Sequence, residues 1–278
     1  MPFKTLAQIS TQLDAVYSTA HVYKPVTPLN SVSLWVDNSM CSGTPIYNAY
    51  VGSQLDSTAL VGSKNIGIRT GQSSNALLTS AMFQTRSVIT PVYTLTSDYL
   101  MFYPLIDGNS TDTQVCTQTD TIPRYPTGDG VQCMVVCTLP SLASSSCTIT
   151  YTNQAGVANR TSTFVVRQGL TVGSICSSQS AAGSASPFIP MQGGDTGFRS
   201  IQDITLTTAV DGFFCFVLIK PLVPVTIFEV DTPSEVSFIS QRLSSPRVFP
   251  GAYINFISRN SAATAGNFIA QLTFCQEI

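Results

Sequence analysis

From residue 87 onwards the chain is a succession of apolar runs of strand length, each closed by Gly, Pro, Asn, Asp or Ser. Runs at 87–96, 99–106, 131–138, 147–152 and 161–167 are followed by runs at 200–207, 213–219, 225–230, 253–258 and 267–274. They are rich in Val, Ile, Thr, Phe and Tyr, whose β-branched or aromatic side chains suit a pleated surface. Turn residues close them before a helical period can develop, which is the pattern of an all-β fold. Several runs are apolar at consecutive positions, which predicts strands covered on both faces. The most apolar stretch, FFCFVLIKPLVPVTIFEV at 213–230, is broken by Lys220, Pro221 and Pro224. A membrane helix needs about 20 apolar residues, so two buried strands joined by a proline-bearing turn are expected there.

Two pairs of segments repeat. RSVITPVYTLTSDYLMFYPLI begins at Arg86 and RSIQDITLTTAVDGFFCFVLIKPLV at Arg199. Each runs from Arg-Ser through a Thr-rich strand and an Asp-bearing turn to an apolar strand ending in Pro-Leu. Further along, TIPRYPTGDGVQCMVV (121–136) and SPRVFPGAYINFIS (245–258) both place Pro-Arg ahead of a second Pro and a Gly. Shared features in one order point to an internal duplication; the alternative is that β-sandwich strands with polar turns resemble one another anyway. The expected fold is all-β, with two tandem β-sandwich or jelly-roll-like units. These occupy 81–175 and 187–278, separated by the small-residue stretch CSSQSAAGSASP. Residues 1–80 form an N-terminal arm and a loop-rich cover. Within the arm, Leu6, Ile9, Leu13 and Val16 recur at near-helical spacing, predicting a short helix over 5–17 capped by Thr5. Either it docks on a neighbouring subunit through Leu6, Ile9 and Leu13, or it covers one end of its own domain.

Only 10% of the 278 residues are charged and the net charge is −2, against about 25% charged in an average domain. A nucleic-acid surface needs a basic patch, so direct nucleic-acid binding is not expected. A surface this poor in charge suits a protein that buries much of its exterior against partners. The N-terminus lacks the apolar core of a secretory signal, and no membrane span is expected.

The residues that could carry chemistry are few. The single histidine, His21, stands beside a proline-rich linker, away from any nucleophile motif. DGNSTDTQ at 107–114 lacks the spacing of a calcium loop, and QGGDTGFRS at 192–200 enters a strand, so it offers no helix terminus to a phosphate. No cofactor, metal site or catalytic residue is expected. NST at Asn109 and NRT at Asn159 match the glycosylation pattern but also read as ordinary turns. The eight cysteines include no C-x-x-C pair. A hairpin centred on Leu142 would set Cys137 opposite Cys147, within disulfide reach; reduced core thiols are the alternative. Arg124 and Arg247, at matching places in the repeats, could each reach a carboxylate on a neighbouring unit with the bidentate fork of a guanidinium.

The ordered set SDYLMFYPLID, TIPRYPTGDGVQCMVV, ITYTNQAGVANRTS, SPFIPMQGGDTGFRSIQDITLT, VLIKPLV and LSSPRVFPGAYINFI resembles virion structural proteins of tailed bacteriophages, of the capsid decoration (cement or minor capsid) type. That resemblance implies no enzymatic residues. It implies synthesis in the host cytoplasm, a place on the capsid exterior, and the major capsid protein and further copies of the chain, as a homotrimer, for partners. A neck, tail or fibre protein is the alternative, and a carbohydrate-active enzyme with paired carboxylates a more distant one.

Overall fold

The structure, a computed structural model, describes residues 17–27, 34–62, 74–168, 171–177, 186–241, 244–261 and 265–276. These form β1 (Tyr17–Lys24), β2 (Trp35–Asp37), β3 (Thr58–Ala59), β4 (Ala76–Gln84), β5 (Val92–Asp107), β6 (Gln114–Val115), β7 (Gln132–Leu139), β8 (Ser145–Asn153), β9 (Arg160–Val166), β10 (Phe198–Leu206), β11 (Phe213–Ile227), β12 (Ser234–Ser237), β13 (Arg247–Val248), β14 (Tyr253–Arg259) and β15 (Phe268–Gln276). One 3₁₀ turn, Asn38–Met40, follows β2. The protein is all-β, as its apolar runs predict, and every ladder between these strands is antiparallel. Of the expected N-terminal helix, only Tyr17 is described, and it opens β1; Leu6, Ile9 and Leu13 lie outside the described residues.

The two most apolar runs become the two longest strands. β5 and β11 pair along their whole length, from Phe213 opposite Asp107 to Ile227 opposite Val92. At about 3.3 Å per residue they make a ribbon roughly 50 Å long. It is the middle of a sheet ordered β2-β14-β5-β11-β7, with β3 also on β5. The expected turn within 213–230 is not formed, because β11 continues through both prolines. Past Ile219 the strand has left the β7 ladder and pairs only with β5. A proline that lacks an N–H donor is tolerated on such an edge, and the register shifts between Pro221 and Val223.

Each end of the ribbon supports its own sandwich. At one end Phe214, Phe216 and Leu218 face Ile149, Tyr151, Phe198 and Ile204 of a second sheet, ordered β6-β10-β8-β9. At the other end Val223, Val225 and Ile227 face Phe83, Phe268 and Phe274 of a third sheet, ordered β1-β15-β4-β12, with β13 also on β4. The intervening residues Cys215, Val217 and Ile219 point to the opposite face. There Met40, Tyr50 and Leu60 of the 38–62 segment cover them. The consecutive apolar positions are thus buried on both faces, as the sequence predicts.

Strand pairing interlaces the segments 81–175 and 187–278: β5 with β11, β7 with β11, β8 with β10, and β4 with β15. The middle of the chain builds the first sandwich, and strands from both ends build the second. A close approach joins two Gly-rich stretches of the first: a Cβ on Gly197 would lie 1.9 Å from the carbonyl oxygen of Gly128. Only a glycine fits at that contact.

Candidate functional site

The charged residues that sequence singled out as interface candidates have opposite fates. Arg124 enters the interior through the turn between Pro123 and Tyr125. Its Nε and Nη2 donate to the two oxygens of Asp98 at 2.8 Å each, and Nη2 also donates to the carbonyls of Leu60 and Tyr99 at 2.9 Å. Asp98 Oδ1 accepts a further bond from the Tyr253 amide at 3.0 Å. The two side chains are 5% and 0% exposed. The bidentate geometry expected of Arg124 is present, but its carboxylate belongs to the same chain, so the guanidinium is an internal tie and no outward contact. Asp98 sits on β5 between the residues that feed the two sandwich cores, with β14 and β11 on either side. The ion pair therefore locks the loop at 121–130 and the 58–62 segment onto the seam between the sandwiches.

Arg247 is exposed on β13, where its backbone pairs with Leu77. The two Pro-Arg stretches nonetheless meet. Tyr125 donates its hydroxyl to the Arg247 carbonyl at 3.2 Å, and its ring packs edge-on against Phe249 with centroids 4.9 Å apart. They are neighbours with different jobs, one arginine inside and one outside.

A second buried carboxylate is linked to the first through Tyr99, whose hydroxyl meets Asp37 and whose carbonyl meets Arg124. Asp37, at the end of β2, accepts from the hydroxyls of Tyr50 (2.5 Å) and Tyr99 (2.8 Å) and from the Ser39 amide (2.9 Å). Burial pushes its carboxyl above the ordinary range, against the pull of those donors, and pushes both phenols well up. Lys24, fully buried at the end of β1, donates to the carbonyls of Cys41 (3.1 Å) and Pro45 (2.6 Å). Burial brings its amine down to about 8, offset in part by Cys41 and Asp37. Asp37, Tyr50, Tyr99, Asp98 and Arg124 form one polar seam whose groups satisfy each other, the arrangement of a structural clamp.

A third carboxylate, Asp195, pins the QGGDTG turn to the second sheet. It accepts from Tyr151 (2.6 Å), Asn153 (2.7 Å) and Arg160 (3.0 Å). Burial alone would raise it; the three donors outweigh burial and hold it below the usual range.

The expected Cys137–Cys147 hairpin is not formed. β7 and β8 follow one another in sequence but join different sheets, so Cys137 pairs across to Phe214 and Cys147 to Leu206 and Phe164. Both face the same core, and no disulfide joins any of the eight cysteines. His21 is exposed on β1. Among the described residues no group of His, Cys, Asp and Glu is placed to hold a metal ion, and no helix is long and apolar enough to cross a membrane.

What the surface offers instead is apolar side chains at both ends of the β5–β11 ribbon. At one end Val51 is 82% exposed and stands with Leu105 and Leu139 around a depression of about 240 Å³ floored by Tyr50 and Phe213. Leu105 adopts a left-handed backbone, φ 58°, where the β5–β11 register shifts between Phe214 and Phe216. At the other end Val88 is 83% and Phe228 71% exposed. Their turns adjoin, since the Asp231 amide donates to the Thr85 carbonyl and Arg86 pairs with Asp231.

No family model matches the chain, and no curated protein matches it. Among solved structures it is similar to the infectious bursal disease virus VP2 subviral particle, at 9% identity and a TM-score of 0.21 over 94% of this chain and 81% of that one. The T=1 particles derived from the same virus give 9% and 0.21 over 94% and 77%. The Gt strain of that virus gives 8% and 0.20 over 93% and 78%. At these scores the likeness supports no inference about this chain.

Proposed function

We propose that the chain is a non-enzymatic virion structural protein that works by assembly. On the resemblance of its motifs, we assign it to the outside of a phage capsid, as a decoration protein that stabilises subunit junctions. The observation that carries the reading is the placement of large apolar side chains, Val51, Leu105 and Leu139 at one pole and Val88 and Phe228 at the other, on a surface with few charges. Contiguous exposed apolar surface marks sites that a partner covers. Two such poles, separated by a ribbon that two cores make rigid, suit a subunit that bridges neighbours. Burying 1,000 Å² across a junction would contribute a gross hydrophobic term of about 25 kcal/mol, much reduced by the cost of association. Its partners in this reading are the major capsid protein and further copies of itself, as a homotrimer.

The test is sedimentation velocity of the purified chain, alone and with emptied capsids, for wild type, Val51→Asp and Phe228→Asp. A buried unpaired carboxylate costs several kcal/mol, so each variant at a working interface weakens association at least about 100-fold. A wild-type chain that stays monomeric and ignores capsids, or variants that associate as well as wild type, would overturn the proposal.

A further inference from the structure

Among the described residues every lysine and arginine except Arg199 has a partner. Arg86, Arg124 and Arg160 pair with carboxylates, Lys24 and Lys220 donate to carbonyls, Arg259 lies over the Tyr93 ring, and Arg167 and Arg247 are held as well. The Arg199 guanidinium makes no hydrogen bond or ion pair to the described residues, and a β-bulge fixes where it points. It is the extra residue between the Phe198–Asn153 and Ser200–Thr152 pairs of β10 and β8. The bulge lets Phe198 and Ile201, three residues apart, both enter the first core and leaves Arg199 exposed. Its stem runs past Gly128 and its tip past Gly156. A Cβ would lie 2.7 Å from Cγ at the first and 2.9 Å from Nη1 at the second, so a side chain at either would push the arginine aside.

The guanidinium borders a cleft of about 360 Å³. Thr152, Arg199 and Ser200 line it from the sheet, and Gln118, Asp120, Ile122 and Pro126 from the segment that faces them. That segment is held in place. Gln118 accepts from the Tyr103 hydroxyl at 2.8 Å and donates to the Ile201 carbonyl. The Asp120 amide donates to Ser57 Oγ, and its Oδ2 accepts from the Ala59 amide, both at 2.8 Å. We propose that this cleft is a docking site for one acidic side chain, Asp or Glu, on a loop of a protein partner, and that Arg199 takes its carboxylate. A guanidinium fork donates two parallel N–H bonds to a carboxylate. Holding the fork in place beforehand reduces the entropy lost on binding. Asp120 gives the same cleft a negative group that makes no ion pair with Arg199. A peptide residue suits both, because it brings a carboxylate to accept from Arg199 and a backbone N–H to donate to Asp120. A polyanion such as a nucleic-acid backbone would meet repulsion from Asp120. A sugar would find no aromatic ring to stack on, since none lines the cleft. That the partner is the capsid shell rests on the proposed function above; the chemistry of the cleft does not.

The first test titrates the isotope-labelled full chain with N-acetyl-glutamate N-methylamide, followed by NMR. The Arg199 Nε–H signal, assigned by its loss in Arg199→Gln, should shift saturably, and the N-acetyl-glutamine N-methylamide control should leave it in place. No shift, or an equal shift with both probes, would overturn the proposal. The second test is co-sedimentation with emptied capsids, where Arg199→Gln should weaken binding about tenfold at low salt. Binding by Arg199→Gln equal to wild type, with Val51→Asp impaired, would overturn the docking site and leave the capsid assignment standing. A wild-type chain that ignores capsids while its Arg199 signal answers the glutamate probe would support the cleft and overturn the capsid assignment alone.

Discussion

Replacing Arg124 by Met removes the guanidinium while keeping most of the side chain's volume. Four hydrogen bonds go with it: two to Asp98, one each to the carbonyls of Leu60 and Tyr99. Asp98 then keeps only the Tyr253 amide and remains completely buried. An uncompensated buried carboxylate costs about 3–5 kcal/mol, against a total stability of about 5–15 kcal/mol for a domain. Burial already pushes the Asp98 carboxyl up, with Arg124 pulling against it, so the variant takes up a proton at a higher pH than wild type does. With its folded pKa raised further, Arg124→Met is less destabilised at pH 5 than at pH 8. The companion Asp98→Asn/Arg124→Met removes both charges and should recover about 2 kcal/mol or more, because what hurts is the orphaned partner. Urea unfolding followed by the fluorescence of Trp35, the only tryptophan, and by circular dichroism reads all three proteins. A loss below about 1 kcal/mol for Arg124→Met, or a double variant no more stable than Arg124→Met, would refute the clamp.

Alkaline pH should unfold the protein early. Burial raises the thiols of Cys41, Cys116 and Cys147 from 9.0 to about 12 and the phenols of Tyr50 and Tyr99 well above 10.0. The unfolded chain gives up these protons first, so stability falls as pH climbs from about 9 towards 12. Lys24, lowered to about 8 from 10.5, works the other way between those values, but as a single group against many. A melting temperature that holds level between pH 8 and 10.5 would contradict this. Gly197→Ala places a Cβ 1.9 Å from the Gly128 carbonyl and should cost more than about 2 kcal/mol. Gly193→Ala, four residues earlier with nothing within 4 Å, should stay within about 0.5 kcal/mol in the same denaturation assay.

Much of the strand inventory could be read locally, while the pairing could not. β5, β7, β8, β11, β14 and β15 all fall on the apolar runs, because β-branched and aromatic content and turn residues are short-range signals. β1 is not legible as a strand in the sequence because its inward residue Lys24 is charged and breaks the alternation begun by Val22. β4, ALLTSAMFQ, straddles the end of a stretch that reads as loop. β7 and β8, joined by a short turn, look like a hairpin. What sends them to different sheets is the competing edge of β11, over 70 residues away in sequence, and no local pattern encodes that. Asp98 did carry a signal: one carboxylate inside SDYLMFYPLI, the most apolar run of its region, must have a buried partner. The two Pro-Arg stretches look alike in sequence, yet only the fold shows that they touch and that one arginine turns inward and the other out.

The central claim is that this chain is a virion component that acts by covering capsid surface. Its stoichiometry in purified virions, measured by quantitative mass spectrometry against the major capsid protein, tests that most directly. A decoration role predicts on the order of hundreds of copies per particle, in fixed ratio to the shell subunit. About a dozen copies or fewer would place it in the neck, tail or fibres, and its absence from the particle would contradict the structural reading altogether.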